Sequence, residues 1–393
     1  MSILKTDFGG DRGDLFQLAL KTGLLTVITL GLYRFWQTTR LRRWYWSAIR
    51  IGDTPLEYTG TAQEKLSGFL MAVIVLAFYL AAFNAVAMFT AIRLTEGAPD
   101  YLTWAMAATP LALIPIIFMA RYRARRYIMS RTRWRGIRMG MTGGAWGYAW
   151  RACLYWTLTI LSLGLLWPVM TFRLEKYLTD RSWFGDAQFL QFGGPGMLYG
   201  AVAPFLVMLW GCFALVIAAV ITGQALYGWG LLLTVPLTLL AAISYRVMSI
   251  RLLAGMKTLG NGMEVDIAPH AGRLIRINIL GRILTGLVVG VVSPVVLGIV
   301  FGLIYLSGTY DPAMLVAPPP TIAAVLAIAT WLTVFVLYGT CQHVFVTFPM
   351  VKHIGETFEL HEPTLLRTVR QRARADGRDA GGFADALDVG AAF

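Results

Sequence analysis

The sequence predicts an all-α polytopic membrane protein. Its expected parts are six transmembrane helices in three hairpins, two re-entrant or interfacial helices from an internal duplication, and small β-hairpins on the cytoplasmic face. Three observations lead there. Of the 393 residues, 57% are hydrophobic and only 14% charged, where a soluble domain carries roughly 25% charge. Several apolar runs reach the ~20 residues that span a bilayer. Most basic residues lie in the longer connections between those runs.

Eight apolar segments lie near 15–36, 68–92, 101–120, 149–170, 199–222, 226–244, 277–307 and 321–347. Segments two and three, five and six, and seven and eight are joined by short Gly- and Pro-rich stretches, RLTEGAPD (93–100), GQALYG (223–228) and GTYDPAMLVAPPP (308–320). These read as the tips of three helical hairpins. The remaining connections, 1–14, 38–67, 121–148, 171–198, 245–276 and 349–393, hold 29 of the 34 Lys and Arg residues. The positive-inside rule puts all of them in the cytoplasm, with both termini. The same rule accounts for the net charge of +13, and no nucleic-acid motif accompanies it. The N-terminus has no apolar core of a signal peptide, so insertion is expected to start from the first apolar run itself. Cys153, Cys212 and Cys341 lie in or beside apolar runs and read as reduced packing residues.

Segments one and four lie between basic stretches, so neither can cross without exporting one of them. They are expected to dip in and return, with breaks at Gly31 and Gly164 and help from Pro168. The rival is a full crossing that places 171–198 outside. Both segments belong to a repeat: at an offset of 133, residues 25–60 and 158–193 share 11 identities over 36 ungapped positions. That recurrence reads as internal duplication. It divides the chain into a first unit (1–144), a second of the same order (145–276), a third hairpin unit (277–362) and a basic, then disordered tail (363–393).

Each copy ends in an alternating stretch around a tight turn, at Gly52–Asp53 and at Gly185–Asp186. Weaker versions stand at 132–144, at 258–267 around Gly260 and Gly262, and at 352–360. Five such hairpins near one another have the strands for one sheet or a barrel-like cap. Thr61–Glu64 fits a capping box that starts the second span.

The block FGGDRGDLF, then LLTVITLGLYRFW, RLRRWYW and IGDTPLEYTG, resembles the YjgN-type family of uncharacterised bacterial inner-membrane proteins. The resemblance covers nearly the whole chain and is strongest at 8–68 and 149–200. It implies a location and an architecture, and no activity or catalytic residues. The second copy departs from the pattern, with Leu166-Trp167-Pro168 for Tyr33-Arg34-Phe35 and Gln191-Phe192-Gly193 for Tyr58-Thr59-Gly60.

No catalytic, nucleotide-binding or redox motif is present. His270, His343, His353 and His361 fit no standard metal spacing, and no carboxylate lies inside an apolar run, so neither a metal nor a cofactor is expected. The most conspicuous feature is the run RYRARRYIMSRTRWRGIR. Its Arg121, Arg123, Arg125, Arg126, Arg131, Arg133, Arg135 and Arg138 come without an acid. It reads as an anchor that fixes topology or as a patch for anionic headgroups or a protein partner. The functional expectation is a non-enzymatic platform binding anionic lipid or a partner protein through this face. The alternative is a transporter or channel on the duplicated broken segments. The two separate on orientation, because inverted repeats would place the copies on opposite sides of the membrane.

Overall fold

The computed structural model describes residues 3–94, 101–260, 262–304, 306 and 320–372. The expected loops at 93–100 and 308–320 fall largely outside them, as does the tail beyond Arg372. In chain order, β1 (Ile3–Phe8) leads to α1 (Arg12–Ile28), α2 (Arg34–Ala48), β2 (Ile49–Ile51) and β3 (Thr54–Tyr58). Then follow α3 (Ala62–Leu94), α4 (Tyr101–Arg131), β4 (Thr132–Trp134) and β5 (Ile137–Met141). The pattern recurs as α5 (Ala145–Leu161), α6 (Trp167–Thr179), β6 (Ser182–Phe184) and β7 (Ala187–Gln191). It recurs again as α7 (Tyr199–Thr222), α8 (Ala225–Ala254), β8 (Lys257–Leu259) and β9 (Met263–Ile267). Last come α9 (Ala271–Ile304), α10 (Pro320–Cys341), a π-helical stretch (Gln342–Thr347), α11 (Phe348–Glu356) and β10 (Phe358–His361).

The all-α class is overturned by the strands. All ten close into one antiparallel barrel in the order β1-β10-β9-β8-β7-β6-β5-β4-β3-β2. Every strand lies beside its sequence neighbours, so the barrel is an up-and-down meander. Its connections alternate between a tight turn and a helical pair, and by parity all the tight turns lie at one end of the barrel. Strands of three to six residues are too short to declare an architecture by alternation alone, and closure between the chain's two ends is invisible locally. β1 falls in a stretch read as plain polar N-terminus. The hairpin expected at 352–360 is absent: Lys352–Glu356 completes α11, and β10 pairs with β1 and β9 instead.

The count of six transmembrane helices is corrected as well. Among the described residues five helices are long and apolar enough to cross a membrane: Ala62–Leu94, Pro195–Thr222, Leu226–Ala254, Ala271–Ile304 and Thr321–Glu356. Segment 101–120 lies in α4, which is not among them and whose last eleven residues carry five arginines. Segments one and four are not single elements. Each is divided between two shorter helices, α1 and α2 or α5 and α6, that pack on one another.

The chain forms two compact units. The first comprises Met1–Thr6, Ile51–Pro269 and Thr357–Phe393. One face of its strands is buried, with Tyr58, Trp134, Phe184, Leu259, Met263, Val265 and Leu360 each under 10% exposed, while Glu57, Arg133 and Glu264 face out. This is the period-two alternation of a filled barrel. The tight turns are built for it. Gly52 and Asp53 both have positive φ, as do Arg135 and Gly136, the condition of a type I′ hairpin. Thr61 Oγ1 accepts from the Glu64 amide at 3.3 Å, capping α3.

The second unit comprises Asp7–Arg50 and His270–Glu356. Asp11 caps α1 by accepting from the amides of Gly13 and Asp14. The core of the unit gathers Phe8, Leu15, Ala19, Leu41, Tyr45, Val344, Phe348 and Val351. At Gly281 of α9 an added Cβ would stand 2.5 Å from the Phe345 carbonyl oxygen. The helix thus meets the π-helical stretch backbone to backbone, the close approach that small residues allow in membranes. Elsewhere the long helices carry large exposed apolar side chains, such as Phe78, Leu94, Val220 and Ile221 at 74–80%. In water each forgoes about 1.5–3 kcal/mol of burial; in lipid none is forgone.

Candidate functional site

The structure distributes the eight arginines along an element and its hairpin rather than over one face. Arg121, Arg123, Arg125, Arg126 and Arg131 belong to α4, Arg133 and Arg138 to β4 and β5, and Arg135 to the turn between them. Arg121 and Arg131 are about 15 Å apart along the helix axis at 1.5 Å per residue.

Three of the arginines hold the fold. Arg131 pairs with Glu64 at 2.9 Å, and Tyr127 donates to the same carboxylate at 3.1 Å. Arg126 Nε donates to the Met141 carbonyl at 3.1 Å. Arg125 lies 3.6 Å from Glu175. Arg138 is half-buried, while Arg121, Arg123, Arg133 and Arg135 are exposed. Arg121 follows the exposed Ile114 and Ile117 on one helical face, its guanidinium 6.0 Å from the Phe118 ring centre. This is the disposition of a basic residue at the edge of an apolar helical face.

Glu175 is the charged centre that sequence reading missed. Lys257 donates to it at 2.6 Å, Thr179 at 3.4 Å, and Arg125 stands behind. Burial pushes its pKa up, but the Lys257 and Arg125 charges outweigh burial and hold it at about 2. Beside it, Lys176 Nζ donates to the Gln191 carbonyl at 2.6 Å, and the Gln191 amide donates to Asp180 at 2.9 Å. The arrangement ties α4, α6, β7 and β8 together. The only signal in the sequence was that Glu175, Asp180 and Asp186 balance the three basic residues of 171–198, which does not announce burial.

The break residues sit at two helix reversals with the same backbone. Leu30 and Gly31 have φ of 52° and 91°, and Leu163 and Gly164 have 51° and 92°. The Gly31 amide donates to the Thr26 carbonyl at 2.7 Å, and that of Gly164 to Thr159 at 2.8 Å. Thr29 Oγ1 accepts from the Tyr33 amide, and Ser162 Oγ from that of Leu166. These are Schellman-type helix ends. Pro168 is not at the break. It stands in the first turn of α6, where proline is tolerated.

Of the tight-turn residues, Gly185, Gly260 and Gly262 all have positive φ. Gly185–Asp186 is covered by the chain's own C-terminal segment. After β10, Pro363–Thr368 forms a 3-10 turn with Leu366 buried. The chain then reaches Asp186, whose amide donates to the Arg370 carbonyl while its carboxylate accepts from the Arg370 amide, both at 2.9 Å. Gln371 Oε1 accepts from the Arg138 amide at 2.7 Å, and Arg372 lies 4.5 Å over the Trp183 ring. A Cβ at Gly185 would collide with the Arg370 carbonyl oxygen.

Two of the four histidines, His270 and His353, come together, with ring centres 5.8 Å apart. His353 Nε2 accepts from the His270 amide at 3.1 Å, His343 accepts from Tyr45 through its carbonyl, and His361 lies on β10. Among the described residues no group of three His, Cys, Asp or Glu could hold a metal ion.

A family model described as "Bacterial protein of unknown function (DUF898)" matches residues 4–298, and the chain belongs to that family, which is of the YjgN type. No curated protein and no solved structure matches the chain.

Proposed function

We propose that this member of a bacterial family of unknown function is a non-enzymatic platform at the inner membrane. Its apolar helices hold the barrel at the cytoplasmic face, and its exposed arginines engage anionic lipid and a partner protein. The observation that carries this reading is the parity of the barrel. β2–β3 of the first copy and β6–β7 of the second are hairpins of one meander, so their turns point the same way. Copies inverted across a membrane would not share one barrel end. The matching reversals at Leu30–Gly31 and Leu163–Gly164 support a duplication arranged in parallel. Positive charge on the cytoplasmic connections supports the side. The exposed pair Arg121 and Arg123, next to an apolar helical face, suits anionic headgroups, each worth about 1 kcal/mol near such a surface.

The test places single cysteines at Asp53 and Arg135, both exposed at hairpin turns, in a background without native cysteines. A membrane-impermeant thiol reagent is then applied to intact and to opened spheroplasts. The platform requires both to label only after opening. Labelling of either one in intact spheroplasts overturns it.

A further inference from the structure

We propose that the turn end of the barrel is a docking site for an acidic segment of a partner protein, built from Arg133 and Arg135 of the β4–β5 hairpin with Arg370 and Arg372 of the C-terminal strap. This deepens the platform reading and rests on it.

The strap makes the site. Arg370 and Arg372 lie far from the arginine run in sequence, but one continuous set of hydrogen bonds brings them together. The Gly185 amide donates to the Arg138 carbonyl, the Arg138 amide to Gln371, and Asp186 and Arg370 bond reciprocally. Across the hairpin, Arg133 stands directly opposite Arg138. Arg133, Arg135, Arg370 and Arg372 are all exposed, and among the described residues none has a carboxylate within ion-pair distance. Asp186 accepts from the Arg370 backbone, and Glu57 is the cross-strand neighbour of Arg133 on its other side.

Two of the guanidinium groups are held in place. Arg135 lies 5.0 Å over Trp134, and Arg372 4.5 Å over Trp183. Stacking fixes the plane and leaves the N–H edge for paired hydrogen bonds to a carboxylate.

The surroundings select the partner. By the parity of the meander this end is opposite the one from which the helical connections leave, so the headgroups of the protein's own membrane are not its ligand. The positive surface is also bounded. Beside it Glu57 of β3 is the cross-strand neighbour of Arg133 and Asp186 stands at the β6–β7 turn, while the acids of β9 and β10 lie on the opposite side of the ring. A short acidic peptide fits within the basic sector so bounded.

The experiment uses the full chain in phosphatidylcholine nanodiscs and a fluorescent deca-glutamate peptide, with deca-glutamine and a single-stranded oligonucleotide as comparison probes. Anisotropy is expected to show salt-dependent binding of deca-glutamate and none of deca-glutamine. R133Q/R135Q and R370Q/R372Q should each weaken it at least ~10-fold, while R121Q/R123Q leaves it unchanged. The strap contacts of Arg370 use its backbone, so R370Q keeps them. Retained resistance to Glu-specific protease shows that the variants are folded. Failure of deca-glutamate to bind, equal binding by the folded variants, or tighter binding of the oligonucleotide overturns the inference. If Arg135→Cys labels only in opened spheroplasts while the peptide fails, the platform stands and this site alone falls.

Discussion

The two copies of the repeat have the same backbone and different surroundings. In the first, a Cβ at Gly31 would meet nothing within 4 Å. In the second, a Cβ at Gly164 would stand 3.1 Å from Leu206 and 3.4 Å from Leu209, and Trp210 donates to the Leu163 carbonyl at 2.9 Å. The first strand pair ends in Tyr58, with the ammonium of fully buried Lys65 5.4 Å from its ring. The second ends in Gln191, whose amide group donates to the Leu253 carbonyl at 3.0 Å. At the hairpin turns, Gly52 is covered by the flexible side chain of Leu4, and Gly185 by the Arg370 backbone. Glu175 in the second copy occupies the position of the buried Arg42 in the first. The conformation belongs to the repeated residues, whereas in the second copy the reversal is also held by Trp210 and the hairpin turn by the Arg370 backbone.

Substitutions at matching positions therefore separate the copies. The largest effect is expected at Gly185→Ala, where a carbonyl oxygen cannot yield as a side chain can. Two hydrogen bonds of about 1 kcal/mol each and a positive-φ penalty of about 1 kcal/mol are at stake. The strap should leave the turn, seen as trypsin cleavage after Arg370 and Arg372 at least ~10-fold faster than in the parent. Unchanged cleavage would remove the strap from the account. Gly52→Ala should leave that cleavage as it is.

Next in size is Glu175→Gln. Its carboxyl is held at about 2 against an ordinary 4.5. The ionised form therefore contributes stability that is complete above pH ~4.5 and lost as the pH falls towards ~2. At 1.36 kcal/mol per pKa unit, discounted for partial exposure, the variant should lose about 2 kcal/mol at pH 7. Thermal unfolding in detergent should show that gap closing between pH 4.5 and 2; a gap independent of pH would contradict the charge assignment.

Gly164→Ala should cost about 2 kcal/mol, the left-handed penalty plus displacement of Leu206, and Gly31→Ala only about 1 kcal/mol. Equal losses in thermal unfolding would erase the distinction between the reversals. The smallest effect is on lipid. Arg121→Gln with Arg123→Gln should reduce phosphatidylglycerol retained through purification several-fold, with little change in unfolding temperature. Undiminished retention would leave these arginines without a lipid role.

Several parts of this molecule are legible without a structure, because local chemistry suffices for them. Apolar runs of span length declare themselves. Leu-Gly before a new helix marks a reversal, and Gly-Asp between alternating residues marks a hairpin turn. The barrel is a different matter. Trp134 and Phe184, packed with ring centres 5.5 Å apart, come from three-residue strands that carry no periodicity of their own. Ile3–Phe8 becomes a strand only because Phe358–His361 arrives beside it. The arginine run showed its charge but not its division, since Arg125 and Arg131 owe their structural roles to Glu175 and Glu64, distant in sequence. The contribution of Arg370 and Arg372 depended on a strap that no local pattern foretells.

The common barrel end exists only if the barrel closes between β1 and β10. Lys5 and Glu359 are directly paired across β1 and β10, 3.8 Å apart through their side chains and facing outward. Neighbouring strands bring such positions within reach of a disulfide. With native cysteines removed and cysteines placed at Lys5 and Glu359, mild oxidation in native membranes should yield a cross-linked monomer of altered gel mobility that reduction reverses. Lys5→Cys paired with a cysteine at Glu57 should yield none. If the first pair does not cross-link, or both pairs do so equally, the ten strands do not close into this barrel, and the common end on which the function is built is lost.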